Sequence, residues 1–407
     1  MKQVSDAVVV GAGPVGCFAA LNIAKLGLET TVFEEHGEIG VPSHCAGHIS
    51  IRSLRNLELF PLPKEIVENT FSAANFHSPL GTVFTIRLKH PVTCAINREL
   101  FDKYLAQRAE DAGARFKLNS RVNSLLIKEG LVKGVNVEQA RGMESVAARI
   151  VIDAEGISSR LLRDAGLVML HREGLVFAVE AEVENVRDIE TDRVEVYLGK
   201  EYAAGFYAWI IPKRDGTAKV GLAAKTGNPK ELLRKLMFKH PFASKKLGQA
   251  RINSEAYHPI TLGGPIVKAY ADGFLAVGDV ASQVKPTTGG GVIFGLTCAQ
   301  IASETLTEAF RRNDMSSRVL QQYDKRCRGK LGFDIVVMLR LRQFLDSLSD
   351  EKIDQALRVC RTFGLDKALQ DTDEIDFQGK LLLQSLRKPA TVASLAYFLF
   401  LYLSANP

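Results

Sequence analysis

The 407-residue chain predicts an α/β fold, and three stretches carry that expectation. Ala7-Val8-Val9-Val10 is a short apolar run of the kind that forms a buried parallel strand. It enters Gly11-Ala12-Gly13-Pro14-Val15-Gly16, after which Cys17 to Gly27 is helical in pattern and stops on a glycine. A second strand, Thr30 to Phe33, ends on Glu34-Glu35. Later, Gly273 to Val277 forms a strand that ends on Gly278-Asp279, and Pro286-Thr287-Thr288-Gly289-Gly290-Gly291-Val292 opens another helix. Strand, glycine turn and helix in this order describe a Rossmann-type dinucleotide-binding domain.

Each residue of the first turn has a task there. Gly11 permits the tight turn, Gly13 lets the backbone approach a pyrophosphate, and Gly16 lets the helix pack on the strand, with Val15 between them. The helix N-terminus offers free N–H groups to the anion. Glu34, with Glu35 beside it, stands at about the 20-residue spacing of the acid that binds ribose hydroxyls. An acid there disfavours a 2′-phosphate, which leaves FAD or NAD. Two later segments favour FAD. In Ala147 to Arg160 a strand leads into the Glu155-Gly156 turn, followed by Ser158, Ser159 and Arg160. At Asp279 to Val292 a second helix start, with Gly290 and Gly291, suits the flavin edge where negative charge gathers on reduction.

With these motifs in place, residues 5 to 330 resemble the FAD-dependent oxidoreductases of the p-hydroxybenzoate hydroxylase superfamily, which carry GxGxxG, then a DG turn, then a GD motif. The middle turn departs from that pattern, with Glu155-Gly156 in place of Asp-Gly. In the hydroxylases that turn serves both FAD and NADPH, so the departure tells against NADPH use. The resemblance implies that Arg98, which opens a helix, touches the flavin, and that Val122 belongs to the cofactor-binding set with Asp279, Gly290, Gly291 and Val292. Two finer motifs resemble the geranylgeranyl reductases within that superfamily. Pro42-Ser43-His44-Cys45-Ala46-Gly47 falls where those enzymes carry a Cys-Ala-Gly or Cys-Gly-Gly facing the flavin. Tyr207-Ala208-Trp209-Ile210-Ile211-Pro212-Lys213 is similar to their YxWxFPK segment, with Ile211 in place of Phe. Cys45, Ala46 and Gly47 are thereby implied at the cofactor, and Tyr207 and Trp209 at the substrate. On their own terms, a free cysteine is usually a small buried hydrophobe, and Tyr207 and Trp209, alternating on one face of a strand, could be plain core. Strands Arg193 to Leu198 and Lys219 to Ala223 read as antiparallel sheet beneath a substrate cavity.

Composition sets outer bounds. Hydrophobic residues make up 46% and charged residues 24%, as in ordinary soluble domains, and a net charge of +6 does not mark a nucleic-acid binder. The six cysteines form no CxxC pair, zinc knuckle or compact disulfide framework, so reduced thiols and no metal site are expected. The apolar run before the first glycines is shorter than a signal-peptide core, and no stretch of about 20 apolar residues exists. The expected location is cytoplasmic, with peripheral contact at the inner face of a membrane as a further option. Residues 311 to 342 hold nine Lys/Arg against three acids, which is either a solvated helix face or one that meets anionic head groups. The tail from Ala390 to Ala405 is uncharged over 16 residues and preceded by Arg387 and Lys388. It reads as a docked helix or an interfacial anchor.

The expected organisation is an FAD-binding domain of residues 1–60, 91–165 and 265–315, a substrate-binding antiparallel-sheet domain of 61–90 and 166–264, and a C-terminal helical region of 316–407. The expected function is saturation of isoprenoid double bonds in a prenyl lipid, by hydride from reduced FAD plus a proton, with Cys45 as the catalytic residue and His44 as a neighbour that tunes it. With no second dinucleotide fingerprint, electrons come from an external donor: NAD(P)H, a ferredoxin or a similar carrier protein. A monomer is expected. Two other readings share the motifs: an FAD-dependent aromatic-ring monooxygenase, and a non-catalytic flavin- or lipid-binding protein.

Overall fold

The computed structural model describes residues 4–140, 142–158, 160–168 and 172–405. Ser159 of the middle turn, the domain limits placed at residues 1 and 407, and the side chains of the apolar tail beyond Leu401 lie outside the described residues. The chain forms two compact units, Met1–Ser43 with Arg98–Gly174 and Thr261–Phe333, and His44–Asn97 with Leu175–Ile260 and Asp334–Pro407. Residues 44–60 and 91–97, expected with the cofactor domain, thus fold with the second unit. The cause is local pairing: strand His48–Ser50 lies antiparallel to Thr93–Ile96, which pairs in turn with Val67–Phe71. Residues 334–407 also belong to the second unit. Leu357 and Cys360, on helix Asp350–Thr362, bury against Phe84 of its sheet.

The first unit holds, among the described residues, an eight-stranded sheet. Its main path runs Tyr270–Ala271, Phe274–Ala276, Gly142–Asp153, Ser5–Val10, Thr30–Phe33, Arg115–Lys117. Apart from the Tyr270–Ala271 edge, neighbours along this path are parallel. Val8 and Val9 have no exposed surface, as a strand covered on both faces requires. Helix Pro14–Ala24 is buried almost all round, which is why its sequence shows no polar face. The register aligns strand ends: Val10 lies opposite both Phe33 and Asp153, and Asp153 opposite Ala276. Four glycine or acidic turns therefore leave the sheet at one edge, the carboxyl ends where open α/β sheets bind ligands.

The second unit carries a seven-stranded sheet in the order Arg251–Thr261, Leu175–Glu184, Ala218–Ala224, Ala208–Pro212, Arg193–Tyr197, Ala73–His77, Val83–Arg87. It is mixed rather than wholly antiparallel, because Arg193–Tyr197 and Ala73–His77 run parallel. A parallel pair needs a long crossover, and the whole Arg98–Gly174 segment lies between these strands in the chain. One face packs Val179, Ala181, Ile210, Val220 and Leu222 against Leu233, Leu236 and Met237 of helix Pro229–Lys239. The tail helix Pro389–Ala405 docks through Leu401, which is 2% exposed among Leu348, Ile353 and Ala356, while Leu399 and Phe400 on the same helix face outward. No helix among the described residues is long and apolar enough to cross a membrane.

A polar cluster is buried in this unit. Glu195 accepts from Lys246 Nζ at 2.6 Å and from the Tyr197 hydroxyl at 3.2 Å, and its other close partner is His77 Nε2 at 2.6 Å. Burial opposes its ionisation, but the bonds to His77 and Lys246 outweigh burial and lower its pKa to about 2. Glu195→Ala is expected to lower the unfolding free energy by about 3–5 kcal/mol in a urea titration near neutral pH, since Lys246 loses its buried counter-charge. The sign of the pH effect follows from the lowered pKa. The Glu195 contribution is complete above its ordinary value of 4.5 and is lost as pH falls towards about 2, so the gap between variant and wild type should close over that window.

Candidate functional site

The first glycine turn is held by contacts that exclude side chains. Gly11 has φ +96°, and a Cβ on it would lie 2.5 Å from the Ala154 carbonyl oxygen. A Cβ on Gly16 would lie 1.9 Å from the Gly11 carbonyl oxygen. Gly13 differs: its added Cβ would meet nothing within 4 Å. It is the N-cap of helix Pro14–Ala24, with no side-chain cap and no acid in the first turn. Open space above uncapped N–H groups is the arrangement a pyrophosphate requires.

Glu34 is tied into the same turn. Its Oε2 accepts from the Ala12 N–H at 2.7 Å, and its Oε1 accepts from the His36 N–H at 2.9 Å and meets His36 Nδ1 at 2.6 Å. Its carboxylate thus stands at the lip of the turn, in the place of a ribose-binding acid. Glu35 does not join it. Its carboxylate pairs with Arg121 at 3.3 Å and Arg160 at 3.9 Å on the outer surface. Val122 is buried on strand Arg121–Lys128 opposite Val137, close along the chain to Ser120, whose N–H donates to the Glu34 carbonyl.

The late motif packs on the early one. A Cβ on Gly278 would lie 3.1 Å from Val15, and one on Gly295 2.5 Å from it, so Val15 fills a slot that only glycines leave open. Asp279 stands against Gly291, where an added Cβ would be 2.5 Å from its Oδ1. Gly291 caps helix Val292–Arg311, again with no side-chain cap and no acid in the first turn. Gly290, by contrast, lies over the Lys285 side chain. Burial raises the Asp279 carboxyl above its usual range, and Arg98 opposes that rise. Arg98 itself forks onto Asp102 at 3.0 and 3.2 Å on helix Arg98–Asp111. Two uncapped helix starts, a ribose-type acid and a half-buried Asp–Arg pair fit a dinucleotide carrying a redox ring.

Sequence reasoning passed over Asp153. It has no exposed surface, its Oδ1 accepts from the Glu155 N–H at 3.1 Å, and its Oδ2 has no partner among the described residues. Burial first, and Glu155 second, push its carboxyl well above the usual range. Glu155 in turn accepts from the Leu161 N–H at 3.0 Å, so the acid of the Glu155-Gly156 turn closes its own loop.

The remaining expected residues gather in the second unit. Gly47 has φ +67°, and a Cβ there would lie 2.3 Å from the Ile96 carbonyl oxygen. The Gly47 N–H donates to Cys45 Sγ at 3.4 Å, which orients a half-buried sulfur. His44 stacks on His258 with centroids 5.4 Å apart, a partner that nothing near His44 in the sequence signals. Ala46 packs against the cluster of Phe71, Val194 and Ile211, as Trp209 does. Tyr207 meets Trp209 edge-on at 5.8 Å, and burial raises its phenol pKa. The Cys45 loop and the Tyr207–Trp209 strand thus share one apolar face of the sheet. Glu180 and Lys219 lie on that face too and were missed. The signal was legible as alternation, since Glu180, Glu182 and Glu184 occupy every second position of one strand.

The FAD binding domain family matches residues 4–330. The chain is 36% identical over 356 residues to digeranylgeranylglycerophospholipid reductase 2 of Methanothermobacter thermautotrophicus, covering 87% of this chain and 91% of that protein. It is 33% identical over 360 residues to digeranylgeranylglycerophospholipid reductase of Methanocaldococcus jannaschii, covering 87% and 90%. The solved structure of a geranylgeranyl bacteriochlorophyll reductase-like protein from Thermoplasma acidophilum superposes with a TM-score of 0.86 at 26% identity, over 97% of this chain and 99% of that one. A flavin-dependent brominase, Bmp2, shares the fold at 18% identity and a TM-score of 0.72, over 90% and 93%.

Substitutions at the two kinds of glycine should separate folding from cofactor binding. Gly16→Ala is expected to cost about 3 kcal/mol or more, with flavin lost alongside it, because backbone must move. Gly13→Ala is expected to leave the melting temperature of the flavin-free protein unchanged while raising the Kd for FAD at least about tenfold. Thermal melts and flavin titrations of both variants check this.

Proposed function

The chain belongs to the FAD binding domain family that includes the digeranylgeranylglycerophospholipid reductases, and on that premise we propose that it saturates geranylgeranyl double bonds of a membrane-lipid precursor. The observation that carries the reading is the shared sheet face, where Ala46 of the Cys45 loop and Trp209 both pack against the cluster of Phe71, Val194 and Ile211. An apolar wall beside one half-buried thiol suits a substrate with no polar handle at the reacting carbons. FAD, when bound, supplies the hydride. The protein has three tasks: to bind the dinucleotide at Gly13 and Glu34, to keep water from the alkene, and to deliver a proton to the second carbon. We assign delivery or organisation of that proton to Cys45. Arg98, Asp279 and the Gly290-Gly291-Val292 helix start are assigned to the flavin ring and its ribityl chain.

Electrons enter from an external donor, a nicotinamide or a small redox protein. Peripheral contact with a membrane is supported by the outward Val392, Leu399 and Phe400 of the tail helix, with Arg387 and Lys388 just before it.

The test is anaerobic. Dithionite-reduced holoenzyme mixed with a geranylgeranyl glycerophospholipid should reoxidise its flavin and add two hydrogens per double bond, read by mass spectrometry. Oxygen uptake stimulated by a phenol, with no change in the lipid, would instead mark a monooxygenase. Cys45→Ser is expected to keep full flavin content and slow alkene reduction about 100-fold or more, within the usual range for a lost acid–base group. Turnover equal to wild type would remove Cys45 from the reaction.

A further inference from the structure

Glu180 is a buried acid that the reaction as described does not use. On strand Leu175–Glu184, Val179, Ala181 and Val183 enter the core against the Pro229 helix, which leaves Glu180 and Glu182 on the opposite face. Gly221 is the cross-strand neighbour of Glu180 on one side and of Trp209 on the other. A Cβ on Gly221 would lie 2.5 Å from Trp209 Cζ2, so the indole lies across the space that glycine leaves. Reaching over that strand, Trp209 Nε1 donates to Glu180 Oε2 at 2.8 Å. Glu180 Oε1 is buried and has no hydrogen-bond partner among the described residues.

The charges around this carboxyl are committed elsewhere. Lys219 Nζ is 2.6 Å from Glu68 Oε2 and donates to the Ile96 carbonyl at 2.9 Å. Lys213 spans Glu68 at 3.2 Å and Glu182 at 3.5 Å. Burial raises the Glu180 pKa to about 7, opposed by Lys219 and the Trp209 hydrogen bond and assisted by Glu182 and Glu68. The closest partner of Glu180 is therefore an indole N–H, which is an uncommon use of a buried acid.

We propose that Glu180 is the positioning residue of the prenyl site: its carboxyl draws the Trp209 indole across Gly221 and holds it flat, as the floor on which an isoprenoid chain lies. This rests on the reading above that this sheet face receives the prenyl chain. Without the acceptor, the indole N–H is left unsatisfied and the ring turns up into the space the chain needs. Glutamine at the same position still offers a carbonyl oxygen to the indole but cannot titrate.

Trp209 is the chain's only tryptophan, so the indole emission of the protein comes from this ring alone. In FAD-loaded protein, the wild-type emission should shift with pH around about 7, and Glu180→Gln should flatten that profile. With the geranylgeranyl lipid, Glu180→Ala should raise KM about tenfold with kcat within about twofold, while Glu180→Gln holds KM within about threefold of wild type. A wild-type emission profile as flat as that of Glu180→Gln would overturn the proposal. So would a KM unchanged in Glu180→Ala, or raised equally in both variants. If the wild type neither binds nor reduces any prenyl lipid, the functional reading fails by itself, and the emission comparison still decides whether Glu180 holds Trp209. Glu180→Gln supplies that comparison even if Glu180→Ala does not fold.

Discussion

Between Gly11 and Gly16 there is no room for a methyl group, since one on Gly16 would sit 1.9 Å from the Gly11 carbonyl oxygen. That closeness aims the first helix back at the end of the first strand, and much of the cofactor region depends on it. The N–H groups of the helix's first turn can face an anion only because Gly16 has dropped the helix against the glycine turn. Ala12 can donate to Glu34 only because Gly11 has already turned the chain, its own N–H held by the Phe33 carbonyl at 2.8 Å. Val15, in the first turn of that helix, then becomes the peg on which Gly278 and Gly295 close. One steric constraint sets the relation between the early and late motifs, which lie far apart in sequence.

The second unit solves a different problem. On the proposed reading, one face of its sheet presents an apolar surface to a substrate without collapsing onto it. Polar residues set into that face keep it from being filled like an ordinary core. Glu68, Lys213 and Lys219 form an ion network at its border, and Glu180 accepts a hydrogen bond from the Trp209 indole. On the opposite face, aliphatic side chains pack against helices around the buried Glu195 cluster with His77, Tyr197 and Lys246. Both faces of the sheet thus carry a buried acid, and they differ in what answers it: Lys246 and His77 for Glu195, an indole N–H for Glu180.

Much of the cofactor half was legible in the sequence because its constraints are local. Gly11, Gly13, Gly16, Asp279 and Gly291 each act through neighbours a few residues away or through one recurrent spacing, so strand, turn and helix could be read in order. Glu34 and Glu35 part just after their strand ends, one bonding to the Ala12 N–H and the other to Arg121, and the sequence does not say which one faces the turn. The second unit was less legible because its contacts are long-range. The pairing of His48–Ser50 with Thr93–Ile96 moved a whole segment between units, and the parallel neighbour of Arg193–Tyr197 comes from residues 73–77. Glu180 reads as a solvated strand residue until Trp209 is seen to reach it across a glycine. The tail posed a choice between docked helix and interfacial anchor, and Leu401 answers one part of it by burying while Leu399 and Phe400 do not.

The interleaving of the two units bears on how the chain emerges from the ribosome. Each unit takes three separate stretches, and the last stretch of each lies beyond residue 260. Strand Ser5–Val10 must wait for Gly142–Asp153, and that strand in turn for Phe274–Ala276. Until then the nascent chain carries parallel strand edges and apolar segments with no partner, the condition under which unfolded chains stick to one another. Synthesis of this protein therefore calls for a chaperone, or a slow and dilute expression regime, for longer than its ordinary size suggests.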